Sequence, residues 1–345
     1  MPSLFLLLSG EHEALPIAEA KAILEAGGCP YEVSESLEQV LRLEADPDCA
    51  NVLKKRAAFT RMCALELFSC EAKIANIVKS VQSTNLQAVL SEDESFAVRV
   101  KHVKEYSKGI NGMILEGKLG SLMVDRCPRA KVRLKNPDKT FIGVLTSDRF
   151  VFGVKLAEIP AKPFVERRPR KKPFFHPSAM TAKLARCMVN LAEPKAGEVV
   201  LDPFCGTGTM LIEAKLIGCR VLGMDIQRRM ARGTRRNMTH FNIRPDGIIV
   251  GDAKHLPVTR VDCVVTDPPY GISSTTLKRT TEQLVKQILK AVHGALPTGK
   301  RVCIAAPRKL DISHLGKVLG FTPLKSYFVY VHRSLTREIV VFEKV

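Results

Sequence analysis

Apolar residues in the second half of the chain fall in unbroken runs: Val199 to Leu201, the segment Arg220-Val-Leu-Gly-Met224, Ile248 to Val250, and Cys263 to Thr266. Runs without alternation are how strands covered on both faces of a parallel sheet read. Between the first two runs the period becomes helical, with Met210, Leu211, Ala214 and Ile217 on one stripe that stops at Gly218. A second stripe, Leu284, Val285, Ile288, Leu289 and Val292, precedes a fifth strand at Val302 to Ala305. Asp311 stands where it would cap a short helix carrying Leu315, Val318 and Leu319. Tyr327 to Val331 and Glu338 to Phe342 then predict two strands joined through His332–Arg337, a closing antiparallel hairpin.

The first half patterns differently. Leu4 to Leu8 predicts a strand, Pro16 to Glu25 a helix stopped by Gly27-Gly28, and Tyr31 to Val33 and Val40 to Leu43 weaker strands. Met62 to Phe68 follows as a strand, then a helix marked by Ile74, Ile77, Val78 and Val81. Phe96-Ala-Val-Arg-Val-Lys101 alternates, which puts Arg99 and Lys101 on the face away from the apolar residues. Ile110, Ile114 and Leu115 mark another helix, and Lys131 to Leu134, Phe141 to Leu145 and Phe150 to Val154 a final group of strands. Four segments result: an α+β unit over 1–58, a second over 59–155, a joint over 156–175 and an α/β unit over 176–345. The joint holds Pro160, Pro163, Pro169 and Pro173, which predicts an extended, stiff connector.

Chemistry concentrates where the parallel strands end. After Val199-Val-Leu201 the chain reads Asp202-Pro-Phe-Cys-Gly-Thr-Gly208, and two glycines two residues apart permit positive φ and close approach of a ligand to the backbone. Taken alone, this turn reads equally as a tight connection from strand to helix. The next strand ends at Asp225, about 20 residues beyond the glycines, where an acid can accept from ribose hydroxyls. The third ends in Gly251-Asp252, and the fourth runs into Asp267-Pro-Pro-Tyr-Gly271. Consecutive prolines fix φ and remove two backbone donors, so this corner projects as a stiff loop.

Charge adds a partner to this picture. The 345 residues hold 53 Lys and Arg against 35 Asp and Glu, a net +18 with pI near 9.6, as expected for a protein that meets a polyanion. Five of those charges, Arg167, Arg168, Arg170, Lys171 and Lys172, crowd the joint, where they read either as a solvated face or as phosphate contacts. A further run, Arg228, Arg229, Arg232, Arg235 and Arg236, follows the second strand and admits the same two readings. The ten cysteines include no C-x-x-C pair, so they read as small buried hydrophobes of a reducing compartment, and Cys205 as packing under the glycine loop. No metal spacing and no serine-histidine-acid order appears. No stretch is long enough for a signal peptide or membrane span, which predicts a soluble, cytoplasmic chain; monomer or complex with an accessory subunit is left open by the sequence.

The glycine loop paired with Asp267-Pro-Pro-Tyr270 resembles the Rossmann-type S-adenosylmethionine-dependent methyltransferases that modify exocyclic amino groups. A dinucleotide-binding G-x-G-x-x-G would need glycine where Leu211 stands. The order of elements in the first half resembles a ferredoxin-like piece followed by a THUMP RNA-binding domain. Together, and with Ser273 after the corner, the chain resembles archaeal tRNA guanosine-N2 methyltransferases acting at position 10. The resemblance implies S-adenosyl-L-methionine as cofactor, S-adenosyl-L-homocysteine as product and tRNA as substrate, giving N2-methylguanosine or N2,N2-dimethylguanosine. It assigns the cofactor to Asp202, Pro203, Phe204, Cys205, Gly206, Thr207, Gly208, Asp225, Ile226, Asp252 and Ala253. His176, Ser178 and Met180 close over its methionine end, Ser178 reading also as the cap of the following helix. Asp267, Pro268, Pro269 and Tyr270 hold and stack the target base, while Arg99, Lys101 and the joint's basic residues grip RNA. Other readings share parts of the pattern: a tRNA enzyme for another guanosine, a DNA adenine-N6 methyltransferase, or a non-catalytic RNA binder.

Overall fold

The computed structural model describes residues 1–270, 280–333 and 335–345. The chain groups into two compact units, one formed by 1–11, 28–54 and 60–159, the other by 12–27, 55–59 and 160–345. In chain order the elements are β1 (Ser3–Leu8), α1 (Leu15–Ala26), β2 (Tyr31–Leu37), β3 (Val40–Ala45), α2 (Cys49–Arg56), β4 (Thr60–Glu71), α3 (Ile74–Ser83), β5 (Ser95–His102), α4 (Gly112–Arg126), β6 (Lys131–Val132), β7 (Lys139–Thr146) and β8 (Arg149–Glu158). There follow α5 (Lys162–Glu166), α6 (Ala182–Leu191), β9 (Val199–Asp202), α7 (Thr209–Leu216), β10 (Arg220–Asp225), α8 (Arg228–His240), β11 (Gly247–Val250), β12 (Cys263–Thr266), α9 (Thr281–Ala295), β13 (Arg301–Pro307), α10 (Ile312–Val318), β14 (Phe321–His332) and β15 (Leu335–Lys344).

The first unit is one eight-stranded sheet in the order β2-β3-β1-β4-β8-β7-β5-β6. The sequence reading cut this region at residue 58, but β4 pairs with β1 on one side and β8 on the other, so no sheet boundary falls there. Its core stacks Phe96, Phe141, Phe150 and Phe152 under Ile77 and Val81 of α3 and Leu115, Leu119 and Met123 of α4. The strict alternation expected of β5 fails, since Ala97 is as buried as Phe96 and Val98, while Lys101 does face solvent. Ile114, expected on the inner face of α4, is 70% exposed because the helix begins at Gly112 under its Asn111 cap.

Helix α1 belongs with the second unit. It buries residues on nearly every face, and its Glu19 accepts from the backbone of Ala58 and Phe59 and from Asn190 of α6, at 2.7 to 3.1 Å. A carboxylate fully removed from water costs stability unless paired; here three segments converge on it, and burial still pushes it up to about 6. The second sheet runs β11-β10-β9-β12-β13-β15-β14, parallel from β11 to β13 and antiparallel beyond. The unalternating runs are indeed its central strands, with β12 buried at every position. The closing hairpin is longer than the sequence predicts, and Asp311 caps α10 through the backbone N–H of His314. All ten cysteines are free thiols. Among the described residues no helix is long and apolar enough to cross a membrane.

Candidate active site

Strand order reverses between β9 and β12, and at such a switch point the loops leaving adjacent strands diverge and open a crevice at their carboxyl ends. The crevice here is a cavity of about 550 Å³ walled by the loop after β9, the tip of β10, the corner after β12, the segment before α6 and the start of β15. Gly206 and Gly208 adopt φ of 51° and 79°, and a Cβ at Gly208 would also meet Thr234 Cγ2 at 2.8 Å. The loop is therefore a tight cradle that only glycine completes.

Carboxylates hold that cradle. Asp225 accepts from the backbone N–H of Gly206 at 3.0 Å and of Gln227 at 2.8 Å, tying the loop to the tip of β10. Asp202 accepts from Phe204 N at 3.1 Å and from the Thr266 hydroxyl at 2.8 Å, tying the same loop to β12. Burial pushes Asp202 up to about 7 and raises Asp225 too, with their hydrogen bonds acting in the opposite sense. From below, Asn237 of α8 donates to the carbonyls of Thr207 and Phe174 at 2.9 Å each and accepts from Phe174 N at 2.8 Å.

The basic joint proves to be two kinds of residue. The expected extended connector is instead a short helix, α5, and a 3-10 turn at Pro169–Lys171. Arg167 is not available to phosphate: its guanidinium forks onto Glu213 of α7 at 2.6 and 3.0 Å, and Glu213, 1% exposed, also takes Arg186 at 2.8 Å. Lys172 is 5% exposed and donates to Thr209, the first residue of α7, at 2.6 Å. Both charges are thus spent fastening the joint to the helix behind the glycine loop. Arg168, Arg170 and Lys171 remain exposed, Lys171 beside Glu166. Arg99, on β5 of the first unit, is half-buried and donates to the Leu134 carbonyl at 2.8 Å.

Asp267 directly follows β12, the strand beside β9. Its Oδ1 accepts from the Tyr270 hydroxyl and its Oδ2 from Arg337 Nη2 at 3.0 Å, while Arg337 Nε donates to the Tyr270 oxygen at 3.2 Å. The Arg337 guanidinium also lies 5.5 Å from the centre of the Tyr270 ring. Burial raises the Asp267 carboxyl, and Arg337 opposes the rise. Sequence reading missed Arg337; its only signal is a cation opening the apolar strand Ile339 to Phe342. Gln227, Met230 and Leu335 were also missed.

Of the residues singled out from sequence, Asp202, Phe204, Cys205, Gly206, Thr207, Asp225, Ile226, His176, Ser178, Met180, Asp267, Pro268, Pro269 and Tyr270 share this cavity. Pro203, Gly208, Asp252 and Ala253 do not line it; Asp252 lies two residues past β11, where it accepts from Lys254 N at 3.1 Å. Cys205 packs beneath the loop, with the Thr234 hydroxyl 3.7 Å from its sulfur. Ser178 does not cap α6; Thr181 does, through Leu184 N, while Ser178 sits 2.8 Å from His176 Nδ1. Gly271 and Ser273 lie outside the described residues. Among those described, no cluster of three His, Cys, Asp or Glu could hold a metal ion.

A nucleotide-type cradle facing a donor-poor acceptor corner, on a parallel sheet that ends in a reversed hairpin, is the architecture of a Rossmann-like methyltransferase. Residues 71–155 match the THUMP domain and residues 169–337 the RMKL-like methyltransferase domain. The tRNA (guanine(10)-N2)-dimethyltransferase of Methanothermobacter thermautotrophicus is 38% identical over 350 residues, 99% of each chain. The protein of the same name from Methanocaldococcus jannaschii is 33% identical, over 98% of this chain and 99% of its own. The crystal structure of TrmN from Thermus thermophilus shares the fold, with a TM-score of 0.55 at 20% identity over 99% of this chain and 100% of that one. The chain belongs to the tRNA (guanine(10)-N2)-dimethyltransferase family.

Proposed function

We propose that the protein transfers methyl groups from S-adenosylmethionine to the exocyclic N2 of a guanosine in tRNA, at position 10, to give N2-methylguanosine and N2,N2-dimethylguanosine. One observation carries the reading: Asp267 and the glycine loop line a single cavity at the ends of the adjacent strands β9 and β12. The residues present fit the cofactor. A backbone cradle that a Cβ would fill, two acids at neighbouring strand tips and an apolar flank including Met180 and Met230 suit a ribose, an adenine and a methionine tail. The Asp202–Gly208 loop and Asp225 hold it, with His176, Ser178 and Met180 over the methionine end.

When bound, the cofactor supplies an electrophilic methyl on a sulfonium, a charged leaving group. The chain supplies position and acceptors. Asp267 and the Pro268 carbonyl accept the two hydrogens of the guanine amino group, and the proline corner offers no N–H to compete for them. Held so, the amino nitrogen would localise its lone pair rather than share it with the ring, and alignment would replace a bimolecular search. With the cofactor bound, methyl transfer would leave the S–C electron pair on sulfur, and Asp267 would be placed to accept the proton that the amino nitrogen sheds. Tyr270 stacks on a base turned out of its helix. The THUMP domain, with Lys101 and Arg99, and the exposed charges Arg168, Arg170 and Lys171 contact tRNA phosphates. Mass spectrometry of nuclease fragments from tRNA transcripts incubated with protein and cofactor tests this. Methylated guanosine at position 10 is expected, and transcripts that stay unmodified despite bound cofactor would refute it.

A further inference from the structure

Both oxygens of Asp267 have donors, Tyr270 on Oδ1 and Arg337 on Oδ2. An ionised carboxylate can accept about four hydrogen bonds, but each must come from a direction that the surrounding groups leave open. The two donors differ in how firmly they are placed. Arg337 is 8% exposed and belongs to β15, where its backbone is in register with Val329 of β14 on one side and Pro307 of β13 on the other. Its guanidinium therefore starts from a fixed point. Tyr270 sits past the end of β12, in a segment with no strand or helix partner. Its hydroxyl reaches back three residues to Asp267, and its ring lies along the cavity wall.

We propose that Arg337 is a positioning residue that permanently holds Oδ2 of Asp267, and that the Tyr270 hydroxyl occupies Oδ1 until the amino group of the target base displaces it. This rests on the methyl-transfer reading above. The exchange is donor for donor: an amino N–H takes the place of an O–H, so the carboxylate loses no hydrogen bond and the base meets no unsatisfied acceptor. The released phenol keeps a donor close by in Arg337 Nε, at 3.2 Å. Its ring is then free to turn its face to the base.

Charge makes Arg337 the part that cannot be spared. The cavity wall carries three carboxylates: Asp202 at the end of β9, Asp225 at the end of β10 and Asp267 after β12. Facing them are His176 from the segment before α6, the Tyr270 phenol and Arg337 of β15, and among the described lining residues Arg337 is the single arginine or lysine. Without it, burial favours the protonated form of Asp267. A protonated carboxyl offers a donor where the amino group needs an acceptor.

The test is single-turnover methyl transfer to tRNA from pH 5.5 to 9 for wild type, Arg337→Gln, Arg337→Lys and Tyr270→Phe, with cofactor affinity measured by calorimetry. In Arg337→Gln the acidic limb of the rate profile should move up by at least about one pH unit. Its rate near neutrality should fall roughly tenfold or more and recover in part toward pH 9, with cofactor affinity held within about twofold. Arg337→Lys, which keeps the charge without the fork, should leave the limb within about half a unit of wild type and so serves if the glutamine variant does not fold. Tyr270→Phe should move the limb less than Arg337→Gln does, because the amino group takes the hydroxyl's place on Oδ1 once the base is bound. A uniform loss of rate in Arg337→Gln at unchanged profile, or a Lys variant that behaves like Gln, would overturn the proposal. Wild type in the same assay separates this outcome from failure of the functional reading, since tRNA methylation by wild type stands or falls independently of the variants.

Discussion

The two walls of the cavity are built on opposite plans. In and behind the cofactor loop, polar side chains are committed to backbone or to buried partners: Asp225 to Gly206 and Gln227, Asn237 to Thr207 and Phe174, Lys172 to Thr209, and Arg167 with Arg186 to Glu213. On the acceptor wall the side chains hold one another, Asp267 with Tyr270 and Arg337. The first plan yields a surface fixed before ligand arrives. The second yields donors that an incoming amino group can replace. Such a division suits a reaction in which one reactant must be immobile and the other must enter, lose its proton and leave.

Disrupting the first wall should cost stability and cofactor affinity, and disrupting the second should cost turnover. The largest effect expected on the first is from Glu213→Ala, which strands two guanidiniums in a site nearly closed to water; about 3–5 kcal/mol of stability should go, read as a lower urea midpoint at unchanged slope. An unmoved midpoint would mean that the joint is not fastened through α7. Next comes Asp225→Ala, which removes the acceptor shared by Gly206 and Gln227. Cofactor should bind roughly 10- to 100-fold more weakly, while turnover at saturating cofactor changes far less.

Asp202 sharpens the comparison through pH. Its folded pKa, about 7, lies above the value near 4 expected for an unfolded Asp. Its contribution to stability is therefore complete below pH 4 and is lost as pH rises through 7, by up to about 1.4 kcal/mol per unit. Asp202→Asn, which keeps an acceptor for Phe204 and Thr266, should flatten that part of the pH–stability curve of the ligand-free protein. The smallest effect belongs to the joint's surface. Replacing Arg168, Arg170 and Lys171 together by Gln should reduce the salt slope of tRNA binding by roughly two to three, about one unit or slightly less per phosphate contact. Lys172→Gln, by contrast, should leave the slope alone and lower stability.

The same contrast explains what could be read from residues alone. The loop after β9 was legible because unalternating strand, paired glycines and helical stripe are all local, and the proline corner because its stiffness needs no partner. The five charges of the joint were not separable, because what distinguishes Arg167 from Arg168 is Glu213, 46 residues away on a helix whose pattern announces only its apolar stripe. Arg337 was invisible for the same reason: its meaning comes from pairing β15 beside β13, which brings it to Asp267 from 70 residues downstream. Helix α1 read correctly as a helix and was given to the wrong unit, since a Glu19 that gathers Ala58, Phe59 and Asn190 looks in sequence like an exposed carboxylate. Local geometry was readable, and long-range polar pairing was not.

The division between the walls is tested most directly by Asp267→Ala, followed in one preparation by calorimetric titration with S-adenosylhomocysteine and by single-turnover methylation of tRNA. Binding within about twofold of wild type, together with a methyl-transfer rate lower by about 10²–10³ or more, is the expected pair of results. Turnover near the wild-type rate, or cofactor binding lost along with it, would contradict the assignment of Asp267 to the amino group.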